Sequence, residues 1–204
     1  MIDLAGKTPV LMMIDPQVEA TEEDQGSLHS IGSTDALPNC VRILEAARAV
    51  GMPVIFTVEI HRKEMVDFGR LLDGTEPVHC VEDTPGVELC PDTRPRSGEW
   101  LIEGRRYSKF VGTDLDLLLR GLGSDTLLCC GFLTDVCVHY TCVDAHQLDY
   151  SYFVARDATA GSTPEASEAA LDRLEYFQTG SLVTTDDMIA AIDSYRGSLA
   201  TAAR

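Results

Sequence analysis

The chain has 204 residues, 33 of them acidic against 16 lysines and arginines, for a formal charge of −17. Nucleic acid and anionic membrane surfaces are poor partners for such a chain, and no apolar run reaches the length of a membrane span. One domain over residues 1–204 is long enough to bury a sizeable core. Met1 to Lys7 lacks the charged start and apolar stretch of a secretory signal, so a cytoplasmic location is expected. Seven cysteines, an odd number with no C-x-x-C pair, fit free thiols in a reducing compartment.

The first predicted strand covers 10–15, an apolar run closing on the carboxylate of Asp15, with Pro16 and Gln17 turning the chain. A helix follows over 37–50 and a second strand over 54–59, with Glu59, His61 and Arg62 at its carboxyl end. From 62 to 99 periodicity is lost. Pro77, Pro85, Pro91 and Pro95 predict a long loop with short helical turns, a kind that is commonly functional or packs between subunits. Within it, 92–98 reads as a solvated loop, and His79-Cys80 reads as structural because no partner lies at useful spacing. A third strand over 100–103 runs into the basic loop of Arg105, Arg106 and Lys109, then a helix over 113–122 that stops at Gly123. Strands over 126–131, 151–155 and 181–184 alternate with helices over 135–148, 164–178 and 186–194. Buried strands alternating with helices imply an α/β fold, three-layer α/β/α with a mostly parallel sheet. Ligands of such sheets lie beyond the carboxyl ends of the strands.

The segment 131–141 carries the most chemistry. Gly131 breaks the fourth strand, Thr134 or Asp135 can cap the next helix, and Cys137 falls in its first turn. Unpaired N–H groups and the helix dipole favour a thiolate there and can hold an oxyanion. The competing reading is a buried cysteine packing as a small hydrophobe. Of the five histidines, His29, His61, His79, His139 and His146, none on the same helix is spaced to serve Cys137, though His61 or His79 could approach in space. Asp15 is the better base: a partly dried carboxylate beside a thiol has its pKa raised towards a useful range.

Ile14-Asp15, the stretch from Trp100 to Phe110, and Gly131-x-x-Thr134-Asp135-x-Cys137-Val138-x-x-Thr141 occur in this order. The pattern resembles the isochorismatase-like cysteine hydrolases, a family that includes nicotinamidases, N-carbamoylsarcosine amidases, ureidoacrylate hydrolases and biuret hydrolases. The resemblance runs from about Thr8 to Ile192. It implies that Asp15 takes the thiol proton, that Cys137 attacks a carbonyl, and that water then releases the acid. It also implies an oxyanion hole from the N–H groups of Leu133 and Cys137, with a cis peptide bond before Leu133. The family's lysine would fall at Gly104; Lys109 is the nominal third member beside Asp15 and Cys137, with Arg105 and Arg106 as the other nearby cations.

Glu59, His61, Arg105 and Arg106 are the expected substrate-binding residues, and together they suggest a polar or anionic substrate. Nicotinamidases surround a metal with an Asp-x-His group and a second histidine; no such group is read here, so neither metal nor cofactor is expected. The expected activity is hydrolysis of a small amide, ureide or related C–N bond through an acyl- or carbamoyl-enzyme. The expected assembly is a homo-oligomer, dimer or tetramer, whose partner is a small-molecule substrate. Two alternatives stay open. One is vinyl-ether cleavage as in isochorismatases, which needs no thiol. The other, motivated by Gly104, is a catalytically impaired member acting as a binding or assembly module.

Overall fold

The computed structural model describes residues 2–21, 28 and 30–202, with side chains to residue 195; His29 lies outside them. Six strands, β1 Pro9–Ile14, β2 Val54–Glu59, β3 Trp100–Gly104, β4 Thr126–Phe132, β5 Ser151–Ala160 and β6 Leu182–Val183, form one sheet in the order β3-β2-β1-β4-β5-β6. All five pairings are parallel. The helices are α1 Val18–Thr21, α2 Ser33–Ala49, α3 Leu115–Leu122, α4 His139–Gln147, α5 Pro164–Phe177 and α6 Thr185–Ala202.

Both faces of the sheet are covered, and successive strand residues divide between them because the pleat has a period of two. Leu11, Met13, Phe56, Leu128 and Cys130 belong to the core shared with α2 and α6. Val10, Met12, Ile55, Leu127 and Cys129 belong to the opposite core, with Leu115 and Leu119 of α3, Cys142 of α4 and Leu174 of α5. This explains the continuous apolar runs of β1 and β4, whose residues are all buried. Helix ends follow ordinary capping chemistry. Thr163 accepts from the Ala166 N–H at 3.0 Å with Pro164 behind it, and Gly123, at a φ of 66°, closes α3.

Three elements differ from expectation. α2 begins at Ser33 rather than 37, because Pro38 sits on its solvent face, where the carbonyl left without a partner can be hydrated. β5 continues to Ala160: a register shift between Cys129 and Gly131 lets Thr159 pair opposite Gly131. The helix expected over 135–148 opens as a wider π turn, Thr134–Val138, that continues into α4.

The 62–99 segment contains the 3₁₀ turns Leu71–Asp73, Pro85–Val87 and Pro91–Thr93. It folds back over the carboxyl ends of β1 and β2. His61 N–H donates to Cys80 O and Glu82 N–H to His61 O, each at 2.8 Å, and Gln17 bridges to Leu89. Phe68, His79, Cys80, Leu89 and Cys90 are buried within this one chain, while Met65, Val66 and Val78 of the same segment stay exposed. No helix among the described residues is long and apolar enough to cross a membrane.

Candidate active site

Asp15 follows β1 with a φ of 45°, a left-handed conformation that few residues other than glycine, asparagine and aspartate adopt. Thr57 of β2 holds it on two sides. Asp15 N–H donates to Thr57 Oγ1 at 3.1 Å, and the Thr57 hydroxyl donates to Asp15 Oδ1 at 2.5 Å. The second carboxylate oxygen lies 2.6 Å from the Lys109 Nζ, and both side chains are buried.

Lys109 reaches this position from the loop after β3, its own N–H donating to Thr141 Oγ1 of α4 at 3.1 Å. The side chain runs across Gly104. A Cβ built at Gly104 would stand 3.2 Å from Lys109 Cδ and 3.4 Å from Nζ. Gly104 therefore leaves the space that the lysine occupies, and the ammonium is present although the strand-end position is glycine.

Cys137 sits in the π turn, its Sγ 3.7 Å from Glu59 Oε2 as donor. The Cys137 sulfur and one carboxylate oxygen each from Asp15 and Glu59 all lie within 4.8 Å of one another. Burial pushes the thiol pKa well up, Lys109 opposes, and the charges of Asp15 and Glu59 add to the rise. The thiolate expected at a helix start is therefore outweighed: the resting sulfur carries its proton and needs a base. Burial also raises Asp15, with Lys109 pulling it down and Glu59 pushing it up again. For Lys109, burial works against the charge, but the facing carboxylates of Asp15 and Glu59 keep its pKa above the ordinary lysine value.

The turn that carries Cys137 is shaped by Gly131 and Thr159. Gly131 has a φ of 126°, and a Cβ there would fall 1.9 Å from the Ile14 carbonyl oxygen, so only glycine lets β4 pass β1 this closely. Thr159 donates to Gly131 O at 2.7 Å and bonds Thr134 Oγ1 at 2.8 Å. The Phe132–Leu133 peptide is cis, as the resemblance implied. Leu133 and Cys137 both line a cleft with Asp15 and Glu59.

Glu59 is the hub of a second group. Burial alone would raise its carboxyl, yet His61, His79 and the Lys109 charge hold it well below the usual carboxylate range. His61 Nε2 lies 3.1 Å and His79 Nε2 3.5 Å from Glu59 Oε1, and His61 stacks on Phe68 with ring centroids 3.9 Å apart. His79 is thus brought to the site, which corrects its reading as a residue without partners. Its Nδ1 meets the Pro77 carbonyl at 2.7 Å, and since a carbonyl only accepts, Nδ1 carries hydrogen. His79 Nε2, buried and without a hydrogen-bond partner, then faces Glu59 either as an imidazolium N–H or with a lone pair for a cation. Burial would lower the His79 pKa, but Glu59 raises it. Glu59, His61 and His79 form a carboxylate-x-His pair plus a second histidine, a donor set a divalent metal can use, which sequence reading missed.

Arg105 and Arg106 do not line the cleft. Arg105 Nε lies 3.3 Å from Asp67 Oδ2 and its Nη2 3.8 Å from Glu103 Oε2, while Arg106 donates to the Asp67 carbonyl at 2.7 Å. Asp67, which also approaches His61 Nδ1 at 3.5 Å, gathers these groups and gave no signal in the sequence. Gln17 was likewise unassigned. Its Nε2 donates to Glu59 O and Val87 O, each at 2.9 Å, and its Oε1 accepts from Glu59 N–H at 2.8 Å, fixing Glu59 beneath the insertion.

Comparison with known proteins identifies the family and agrees with the fold. The isochorismatase domain family matches residues 9–187. A probable inactive nicotinamidase of Arabidopsis thaliana is 32% identical over 170 residues, covering 80% of this chain and 86% of that one. A ureidoacrylate amidohydrolase of Serratia proteamaculans is 30% identical over 200 residues, covering 86% and 79%. Among solved structures, a cysteine hydrolase from Pseudomonas syringae pv. phaseolicola superposes with a TM-score of 0.84 at 28% identity, over 92% of this chain and 93% of that one. A chain matched over so much of its length, with this sheet and this strand-end cleft, belongs to the isochorismatase-like hydrolase family.

Proposed function

We propose that the protein hydrolyses a small amide, ureide or related C–N bond through a thioester or thiocarbamate on Cys137. The observation that carries this reading is the buried Asp15 carboxylate, tied at 2.6 Å to the Lys109 ammonium and set beside the Cys137 thiol. Asp15 takes the thiol proton as sulfur attacks the carbonyl carbon. The C=O electron pair moves onto oxygen, where the N–H groups of Leu133 and Cys137 receive it. Collapse breaks the C–N bond, and Asp15 gives its proton to the leaving nitrogen. Water, losing a proton to Asp15, then attacks the thioester, and the proton returns to sulfur as the acid or carbamate departs. Lys109 keeps the carboxylate in place and offsets negative charge on sulfur.

The ureidoacrylate amidohydrolase relative supports C–N chemistry. The intact Asp15, Lys109 and Cys137 grouping speaks against an impaired member, despite the probable inactive relative. Incubation with a panel of small amides and ureides should release ammonia or amine and add the acyl mass to Cys137; Cys137→Ala should abolish both. Isochorismate turnover that survives Cys137→Ala would instead establish ether cleavage.

The converging Nε2 atoms of His61 and His79 on Glu59 favour one addition to this reading. A divalent metal held by Glu59, His61 and His79 would supply a Lewis acid at the cleft wall. Calorimetric titration of chelator-treated protein with zinc tests it, His79→Ala being expected to lose the binding.

A further inference from the structure

The charge of the cleft says more about the substrate than its shape does. Asp15 and Glu59 lie beside the thiol, and Glu19 and Glu76 contribute two further carboxylates to the same lining. His79 is the one basic side chain among the described lining residues, and its Nε2 is turned to Glu59. Lys109, next to the cleft, is bound to Asp15. The arginines that could have received an anion are engaged elsewhere, with Asp67 and Glu103.

Glu76 is held in place rather than left to solvent. The Tyr107 hydroxyl donates to its Oε2 at 2.6 Å, so the phenol proton is committed and the carboxylate presents acceptor atoms. The rest of the wall is apolar, with Ala20, Leu28, Phe132 and Val136. Without a metal on Glu59, His61 and His79, an anionic substrate entering this cleft would meet carboxylates with no arginine to receive it. A cation would find fixed acceptors in a low-dielectric setting, where charge complementarity counts for more than in water.

We infer that the cleft selects small amides or ureides carrying a positively charged group, an ammonium, amidinium or guanidinium, with their carbonyl at Cys137 and their charge towards Glu76. This rests on the hydrolase reading above for the reaction, but not for the charge preference. It narrows the polar or anionic substrate suggested by Glu59, His61, Arg105 and Arg106 to a polar cation.

Three short-chain primary amides test it: β-alaninamide as cation, butyramide as neutral and succinamate as anion. Calorimetry on the Cys137→Ala protein should give β-alaninamide a dissociation constant roughly tenfold or more below that of succinamate at low salt, with the gap narrowing as salt rises. Should that variant fold poorly, protection of Cys137 from iodoacetamide in the parent chain gives the same ranking. Glu76→Gln should weaken β-alaninamide several-fold and leave butyramide nearly unchanged. Succinamate binding as tightly as β-alaninamide, no binding by any of the three, or equal loss of both ligands in Glu76→Gln overturns the inference. Preferential binding of β-alaninamide without turnover of any amide by the parent chain removes the proposed reaction and leaves the charge selection standing.

Discussion

Glu59 sets the proton chemistry of its neighbours without having to touch a substrate. Its charge helps raise both Asp15 and Cys137, while its own carboxyl is held ionised by His61 and His79. As the proposed base, Asp15 acts only when ionised, so kcat/KM should fall as pH drops through a value above the ordinary 3.8. Glu59→Gln removes one of the charges raising Asp15, so this acid limb should move to lower pH, by roughly one unit. A limb that stays or moves upward would refute the coupling. Lys109 and Gly104 make a second residue-scale test. Lys109→Ala should lower kcat roughly 10²-fold with a smaller effect on KM, the pattern of a lost transition-state interaction. Gly104→Lys added to Lys109→Ala should recover part of that loss, because the strand end then supplies an ammonium to the space the first lysine vacated. Gly104→Lys alone would force two ammoniums into that space and should be the worst of the three. Additive behaviour in this cycle would mean that the two positions do not share one site.

Among the elements, the parallel pairing of β1 with β4 leaves no room for a side chain at Gly131. Gly131→Ala would set a methyl against the Ile14 carbonyl oxygen at a φ of 126°, and separating the two central strands should cost about 4 kcal/mol or more. Urea denaturation reads this directly; a variant as stable as the parent would contradict the geometry. The strands themselves were legible because a strand buried on both faces is an uninterrupted apolar run, and 54–59 was read with the bounds of β2. The start of α2 was not, since Pro38 reads as a stop unless one knows that it faces water. Asp15 and Cys137 could be picked out because each ends or follows a strand at the same edge of the sheet. His79 could not: it lies in an aperiodic insertion, and only the fold of that insertion over β2 brings it to Glu59. Arg105 and Arg106 were read from their charge alone, because sequence does not reveal Asp67, which engages both of them.

On the scale of the molecule, 33 acidic residues against 16 basic ones make self-repulsion a standing cost of compactness. The midpoint of thermal unfolding should therefore rise between about 10 mM and 0.5 M sodium chloride, as the screening length shortens to a few ångströms. A flat or falling midpoint would show that the charges are already balanced locally. The same screening should favour the homo-oligomer expected for this chain. Light scattering at both salts should show multiples of 22.2 kDa, and a monomer at both would end that expectation.

The order of the sheet also decides when a catalytic centre can exist at all. β1 finds β2 early in the chain, but on its other side it waits for β4, whose Cys130 meets Met13 across 117 residues of sequence. Closing so long a loop comes before any reward from the contacts it makes, which slows such folds. A chain still emerging from the ribosome thus carries Asp15 for most of its synthesis with no thiol to serve. The cleft belongs to the late steps of folding, and a truncated product that ends before β4 can hold half a site but never a working one.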